Sequence, residues 1–412
     1  MNKGFFRVVS PREFLALLGR FPPLPTETVD LDTAHGRFLA RDVVAAEDLP
    51  PLSRAAMDGY AVRAADLFGA GEANPAYLDC VMDVAIGSLP EAPLPPGFCA
   101  RIVTGGMLPD GADAVVMVEH TLDMGAGTVE FRKFAAPGDH VMHRGEDARA
   151  GQAALPAGRR LRAQEIGLLA ALGVTRIDVR QAPRVAVLST GDELVPAEAA
   201  PPPGCIRDVN THALSCLLRD FGAVPLPLGL VPDDQASIHD ALARAVARSD
   251  AVLVSGGSSV GARDFTLASL AALPDSEILA HGVAVSPGKP TILARVGRKP
   301  VIGLPGQVAS AQVVMTLFGK PLVEHLAGNP QALTRTPFTY PATLARNLAS
   351  KPGREDHVRV RLEPRPGDIP LAHPVLGRSG LLKTLLDADG LITIEADTEG
   401  LEAGTRVEVR PL

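Results

Sequence analysis

From residue 183 the chain alternates apolar, strand-like runs with helix-patterned stretches. The runs are Val185-Ala186-Val187-Leu188, Val224-Pro225-Leu226, Ala251-Val252-Leu253-Val254 and Val301-Ile302-Gly303-Leu304; the helical stretches between them span 211–221, 235–248 and 263–273. Strands that are apolar at every position are buried on both faces, and strand–helix alternation calls for a parallel sheet with crossover helices. No other feature restricts the fold as much. It predicts a three-layer α/β domain whose ligands sit at the loops beyond the carboxyl ends of the strands. Those loops are 189–194, 255–264 and 305–307, and a long helical stretch at 307–327 closes the domain at Gly328-Asn329-Pro330.

The rest of the chain has other textures. At roughly 150 residues per domain, 412 residues predict about three compact units. Ser10-Pro11 reads as the cap and first position of a short helix carrying Phe14, Leu15, Leu17 and Leu18 and ending at Gly19. Residues 50–147 hold short β-type runs such as Arg101-Ile102-Val103 and Ala114-Val115-Val116-Met117-Val118, parted by Gly, Pro and Asp clusters. A helix over 163–173 then rejoins the first unit across this insertion. The final 80 or so residues return to short strands, as in a small barrel or sandwich. The expected boundaries are 1–48 and 148–182 for a discontinuous N-terminal domain, 49–147 for its mostly β insertion, 183–328 for the α/β domain and 329–412 for a C-terminal β barrel.

Composition excludes several classes of function. A net charge of −7 gives no general attraction to phosphate backbones or anionic lipid, so neither nucleic acid nor a membrane is expected as partner. The absence of Trp makes base stacking a poor mode of recognition. Cys80, Cys99, Cys205 and Cys216 fit neither a zinc pattern nor a redox pair, and read as free thiols in a reducing cytosol. Charges at Lys3, Arg7, Arg12 and Glu13 interrupt any signal-peptide core, and no 18-residue apolar run occurs, which predicts a cytoplasmic protein.

Several segments carry chemistry. Ser189-Thr190-Gly191-Asp192-Glu193-Leu194 follows a buried strand, placing two carboxylates and two hydroxyls where a ligand and Mg²⁺ would sit; the same pair also reads as a solvated turn. Ser255-Gly256-Gly257-Ser258-Ser259-Val260-Gly261, with Asp264 after it, offers backbone N–H groups and a helix start to an anion, or forms a tight turn. No Lys-Ser or Lys-Thr follows, so it is not a P-loop. Ser286-Pro287-Gly288-Lys289-Pro290 holds one of only seven lysines between two prolines, and Pro305-Gly306 forms another rigid lip. Ala56-Met57-Asp58-Gly59-Tyr60, Thr104-Gly105-Gly106 and Gly145-Glu146-Asp147 each set a polar side chain beside glycine and read locally as turns. His140 and His143 lack a third ligand, and no Gly-x-Ser-x-Gly elbow is present.

Together these segments resemble the molybdopterin molybdenumtransferases, the family that includes the E domain of gephyrin. The resemblance rests on RAAMDGYAV (54–62), RIVTGGMLPDGADAVV (101–116), RGEDARAG (144–151), VLSTGDELV (187–195), GGSSVGARD (256–264), PGKP (287–290), GLPG (303–306) and DADGLITI (387–394). It implies an elongated homodimer of four-domain subunits with a molybdopterin-binding α/β domain, the active cleft lying between that domain of one subunit and the insertion of the other. It implies the reaction too: adenylylated molybdopterin and molybdate give molybdenum cofactor and AMP, with Mg²⁺.

By the same motif match, Asp192, Glu193 and Asp264 would hold Mg²⁺ or position the attacking group. Gly256, Gly257, Ser259 and Gly261 would cradle phosphate, beside Thr190, Gly191, Asp233 and Pro305. Lys289 would face anionic charge, and Asp58, Thr104 and Asp147 would act from the insertion. Family members often carry basic residues where this chain has Gly282 and Ser286, with His281 beside the first. Losing two cations predicts weaker oxyanion binding, several-fold to about a hundredfold at about 1–3 kcal/mol per contact. Pro305-Gly306-Gln307-Val308, Val209 and Ser258 depart from the family as well. A relative that binds molybdopterin or acts as a scaffold without catalysis is the alternative, and a transferase for another anionic nucleotide a third.

Overall fold

The computed structural model describes residues 8–256 and 260–412, with backbone alone over 260–264. The chain forms two compact units. One comprises the segment ending at Thr28, Gly36–Ala40 and Asp178–Leu412; the other comprises Val29–His35 and Arg41–Ile177.

In the first unit, Ser10 caps helix α1 (Pro11–Leu18): its hydroxyl accepts from the Glu13 N–H, and the Glu13 carboxylate accepts from the Ser10 N–H. In the second unit, β1 (Gly59–Val62), β2 (Ala76–Val84), β3 (Phe98–Ile102), β4 (Ala114–Met117), β5 (Thr121–Asp123) and β6 (Thr128–Phe131) form a six-stranded sheet in the order β4-β1-β3-β2-β6-β5. Either side of it the chain pairs with itself, Val43–Val44 against Ala153–Leu155 and Leu49 against Ala148. Helix α2 (Ala163–Ala171) carries buried Glu165 in its first turn, its carboxylate held well below the usual range by Arg162, then Arg159.

The α/β domain of the first unit contains β7 (Arg184–Thr190), α3 (Asn210–Asp220), β8 (Val224–Val231), α4 (Gln235–Arg248), β9 (Ala251–Ser255), α5 (Val260–Ala272), β10 (Ser276–His281), β11 (Ile292–Val296) and β12 (Lys299–Leu304). Its sheet order is β8-β7-β9-β12-β11-β10. The first four strands are parallel, as expected, whereas β11 runs antiparallel to both β12 and β10 and makes the sheet mixed. The alternation rule missed β10 and β11 because Glu277 and Arg295 interrupt their apolar runs, and β11 turns into β12 across Gly297-Arg298 with no crossover helix. Successive strand residues serve opposite layers. Val185, Val187 and Leu253 pack with Leu214, Val314 and Phe318, while Ala186, Leu188 and Val254 pack with Ile238, Leu242 and Leu270. Helix α1 joins the former layer, with Phe14 4.5 Å from Phe318.

After β12 the helix runs unbroken through α6 (Val308–Val314), one π turn at Met315–Gly319 and α7 (Lys320–Leu326). Arg410 donates to the Thr316 carbonyl in that turn (2.6 Å), satisfying an acceptor that the wider helix frees. The C-terminal strands β13 (Tyr340–Leu344), β14 (Glu355–Arg365), β15 (Asp368–Pro374), β16 (Gly390–Ile394) and β17 (Arg406–Pro411), with helix α8 (Lys383–Leu386), complete the unit. The order β14-β15-β13-β17-β16 returns to β14, closing a five-stranded barrel around Val360, Ala372, Ile392 and Val409. Val285–Ser286, from the α/β domain, adds itself in parallel to β14.

Candidate active site

Register brings the sequence-selected loops of the α/β domain to one edge. Ser189, Ser255 and Leu304 are neighbours across β7, β9 and β12, so Thr190, Gly256 and Pro305 leave the sheet side by side, with Val231 beside Thr190. Gly256 passes so close to Thr190 that a Cβ there would overlap the threonine's hydroxyl and carbonyl oxygens. Here a glycine is required.

The edge holds a group of acids. Asp192 accepts from the Asp233 N–H (3.0 Å), which ties the loops after β7 and β8 together. The Asp233 carboxyl is pushed above the usual range, chiefly by burial and then by Glu193 and Asp192, with the Thr190 hydroxyl opposing. Like charges this close favour either a proton or a cation. Among the described residues, no group of three or more His, Cys, Asp or Glu side chains makes a ready metal cage. The donors are nonetheless hard oxygens, and Mg²⁺ commonly takes one or two carboxylates, with water and phosphate completing its shell. Gly257 and Ser259 lie outside the described residues; Gly261 and Asp264 fall on the helical backbone of α5, with the Asp264 side chain outside the description.

Two adjoining depressions, each about 230 Å³, open at this edge and share Gly256, Gly306 and Gln307. One also takes in Thr190, Glu193, Arg207, Asn210 and Leu382, and is called the carboxylate cleft below. Asn210 is buried; its amide donates to Ser255 Oγ (2.6 Å) and the Gly306 carbonyl (2.8 Å), while its side-chain oxygen has no partner. Ser189, Asp208 and Thr211 form a buried hydrogen-bonded triangle beneath. Arg207 and Asn210 were missed as site residues because one lies on the short strand Ile206–Arg207 and the other opens α3, both away from any Gly-rich signal.

The 286–290 turn is fixed by packing. A Cβ on Gly288, at φ +126°, would stand 2.7 Å from Val314 Cγ2, and Lys289 projects into solvent while its carbonyl accepts from the Val283 N–H. The two positions without cations have structural uses here. A Cβ on Gly282 would press on Val8 Cγ2 at 3.1 Å, and the Ser286 hydroxyl donates to Asp356.

Arginines do stand beside this turn, Arg359 on β14 and Arg354 just before it. Ser286, Pro287, Arg354, Arg359, Leu376 and Ser379 are among the residues lining a further pocket of about 230 Å³. Arg354 pairs with Asp356 (3.1 Å), but Arg359, 8% exposed, makes no ion pair among the described residues. One of its terminal nitrogens donates to the Gly377 carbonyl (3.1 Å); the other is buried without a partner. Burial lowers its pKa. A buried guanidinium left half-satisfied is costly in an empty pocket and well suited to an oxyanion. An arginine on a strand that alternates charge with valine gave no sequence signal.

In the second unit, Asp58 and Thr104 meet although they are 46 positions apart: the Thr104 N–H (2.6 Å) and hydroxyl (2.8 Å) both donate to Asp58 Oδ1. These bonds, the N–H first, hold the Asp58 carboxyl below the usual range. Gly59 permits the meeting, because a Cβ there would run into the Val116 carbonyl of the neighbouring strand. Asp147 is exposed in the 143–148 loop, where its N–H donates to the Leu49 carbonyl (2.9 Å). His143 and Glu146 bind each other through the His143 N–H, and neither histidine joins a metal group among the described residues.

A doubly covered α/β sheet with acids at its carboxyl edge, followed by a closed barrel, defines a multidomain enzyme class built around a molybdopterin-binding domain. Three family profiles match in order: MoeA N-terminal region (domain I and II) over residues 9–173, a probable molybdopterin binding domain over 186–325, and MoeA C-terminal region (domain IV) over 341–412. The chain is 35% identical to molybdopterin molybdenumtransferase 2 of Mycobacterium tuberculosis, over 93% of this chain and 94% of that one. It is 32% identical to the molybdopterin molybdenumtransferase of Bacillus subtilis, over 93% and 89%. A crystal structure of the molybdopterin biosynthesis moeA protein from Pyrococcus horikoshii superposes with a TM-score of 0.82 at 30% identity, covering 98% of this chain and all of that one. The chain belongs to the molybdopterin molybdenumtransferase family.

Proposed function

We propose that this protein catalyses the molybdenum insertion step of molybdenum cofactor biosynthesis, taking adenylylated molybdopterin and molybdate and releasing AMP. The observation that supports it best is the pairing of a carboxylate cleft with a pocket holding a buried, unpaired arginine. A substrate carrying a pyrophosphate needs a divalent cation and backbone donors, and the incoming metal, itself an oxyanion and a substrate, needs fixed positive charge. In this reading Asp192 and Glu193, with Asp264, hold Mg²⁺, which when bound supplies Lewis-acid neutralisation of the phosphate charge. Gly256 and its neighbours admit the phosphate close to the backbone. Arg359 and Arg354 gather molybdate beside the Ser286–Pro287 turn, and Lys289 adds charge from the solvent side. Asp58, fixed as an anion by Thr104, and Asp147 act from the insertion domain. The protein works as a cytoplasmic homodimer.

The noncatalytic alternative is not favoured, because relatives that match most of the chain are molybdopterin molybdenumtransferases. The test supplies adenylylated molybdopterin, Mg²⁺ and molybdate to the pure protein, and measures AMP release together with cofactor that reactivates a molybdenum-free enzyme. Stoichiometric AMP and cofactor support the proposal. Substrate binding with no AMP above a chelator-treated control overturns it in favour of a binding protein, and light scattering tests the dimer.

A further inference from the structure

Residues 376–386 form a strap shared by the two sites. Leu376, Gly377 and Ser379 wall the arginine pocket, and Gly380 and Leu382 wall the carboxylate cleft. Three hydrogen bonds fix it: Arg359 to the Gly377 carbonyl (3.1 Å), the Ala309 N–H to the Ser379 carbonyl (3.0 Å), and the Thr384 hydroxyl to the Leu381 carbonyl (2.7 Å). Gly377 is packed so tightly that a Cβ would stand 2.5 Å from Thr384 Cγ2. The strap is therefore rigid where it separates the cavities. The Ala309 bond also docks it on the first turn of α6, whose neighbours Gln307 and Val308 line the same cleft.

A rigid strap that leaves its leucines uncovered calls for an explanation. Leu382 is 43% exposed and takes no part in the barrel core. It lines a cleft together with Leu194 and Ile206, while Thr190, Glu193 and Asn210 supply polar groups. Cavities of this kind use a few polar groups to orient a ligand and an apolar wall to take its flat, uncharged part. The substrate proposed above has such a part in its fused heterocycle, at the opposite extreme of polarity from its phosphates. We infer that Leu382 is a specificity-determining residue that covers the pterin ring of the substrate. This rests on the proposed function and deepens it: the acids and backbone donors take the charged groups, and the strap sets which ring is accepted.

The test is steady-state AMP release by the full-length protein at saturating molybdate. Leu382→Ala is expected to raise KM for adenylylated molybdopterin about fivefold and Leu382→Asp about twentyfold, with kcat within about twofold. Leu382→Met, which keeps the apolar volume, stays close to wild type. The dissociation constant for inorganic molybdate, read by calorimetry, is expected to be unchanged in all three, and Leu386→Asp, at an exposed position lining neither cavity, changes nothing. An unaltered KM in a folded Leu382→Asp protein overturns the inference; so does an equal loss in Leu382→Met, or a parallel loss of molybdate binding. Should the wild-type protein release no AMP, the function proposal fails by itself, and Leu382 is then read by pterin fluorescence on binding molybdopterin. Weaker binding by Leu382→Asp supports the assignment there, and equal binding overturns it.

Discussion

Asp58 and Asp233 are both acids beside a strand, one in each unit, and their surroundings push them in opposite directions. Asp58 is exposed and receives two hydrogen bonds on one oxygen from Thr104, so its charged form is favoured. Asp233 is half-buried among Glu193 and Asp192, so its charged form is disfavoured. The first is a fixed anion, complete as the protein stands. The second is biased by burial and by its acidic neighbours toward the protonated form. A carboxylate's chemistry follows from its donors and neighbours, and not from its residue type.

The sharpest way to break this contrast is at the acids around Asp233. Glu193→Gln keeps the shape and removes one charge; AMP release is expected to fall by roughly 10²–10⁴ with the melting temperature preserved. Activity within threefold of wild type would contradict its place in the machinery. Next in size is Arg359→Met. Calorimetry should show molybdate binding weakened about tenfold to a hundredfold, the range for a charge-assisted hydrogen bond, while circular dichroism shows little loss of stability because the unpaired charge itself was costly.

The fixed anion is sharpened by a smaller change. Thr104→Val removes the hydroxyl donor and leaves the N–H, so the Asp58 carboxyl should move back toward its ordinary value of 3.8, followed by NMR titration. Because the folded value lies below the unfolded one, the stabilisation by these bonds is present above pH 3.8 and lost as pH falls through the folded value. The valine variant narrows that window; about a tenfold loss of kcat/KM is expected, and Thr104→Ser should restore it. The smallest effect is expected from Asp233→Asn. A carboxyl raised by folding destabilises the native state at neutral pH, so the amide should raise the melting temperature by about 1–2 °C, an advantage that vanishes below pH 3.8. A drop at neutral pH would mean that its contacts, and not its charge, matter most.

Much of the α/β domain was legible because its strands are apolar at every position, and this pattern survives without knowledge of partners. Helix α1 announced itself through Ser10, Pro11 and Gly19, and α4 matches its expected bounds of 235–248. Strands β10 and β11 were not read, since polar residues such as Glu277 and Arg295 break the unbroken apolar pattern that marks the other strands. At the candidate site, Asp192 and Glu193 were legible as polar residues just past a buried strand. The Asp58–Thr104 contact was not, because a separation of 46 positions says nothing about register. Arg359 was invisible for a related reason: its meaning lies in having no ion-pair partner among the described residues, and partners are absent from a sequence.

By itself the sequence determined the order of local elements and where the chain turns, since periodicity, caps and glycines act over a few residues. Tertiary structure alone decided which turns meet. The apposition of Thr190 with Gly256, the docking of Ser286 on β14 and the solitary charge of Arg359 each depend on surfaces brought together from distant segments. The physical reason is one of range: hydrogen bonding and hydrophobic periodicity are written locally, whereas burial, which sets the cost of each charge, is a property of everything packed around it.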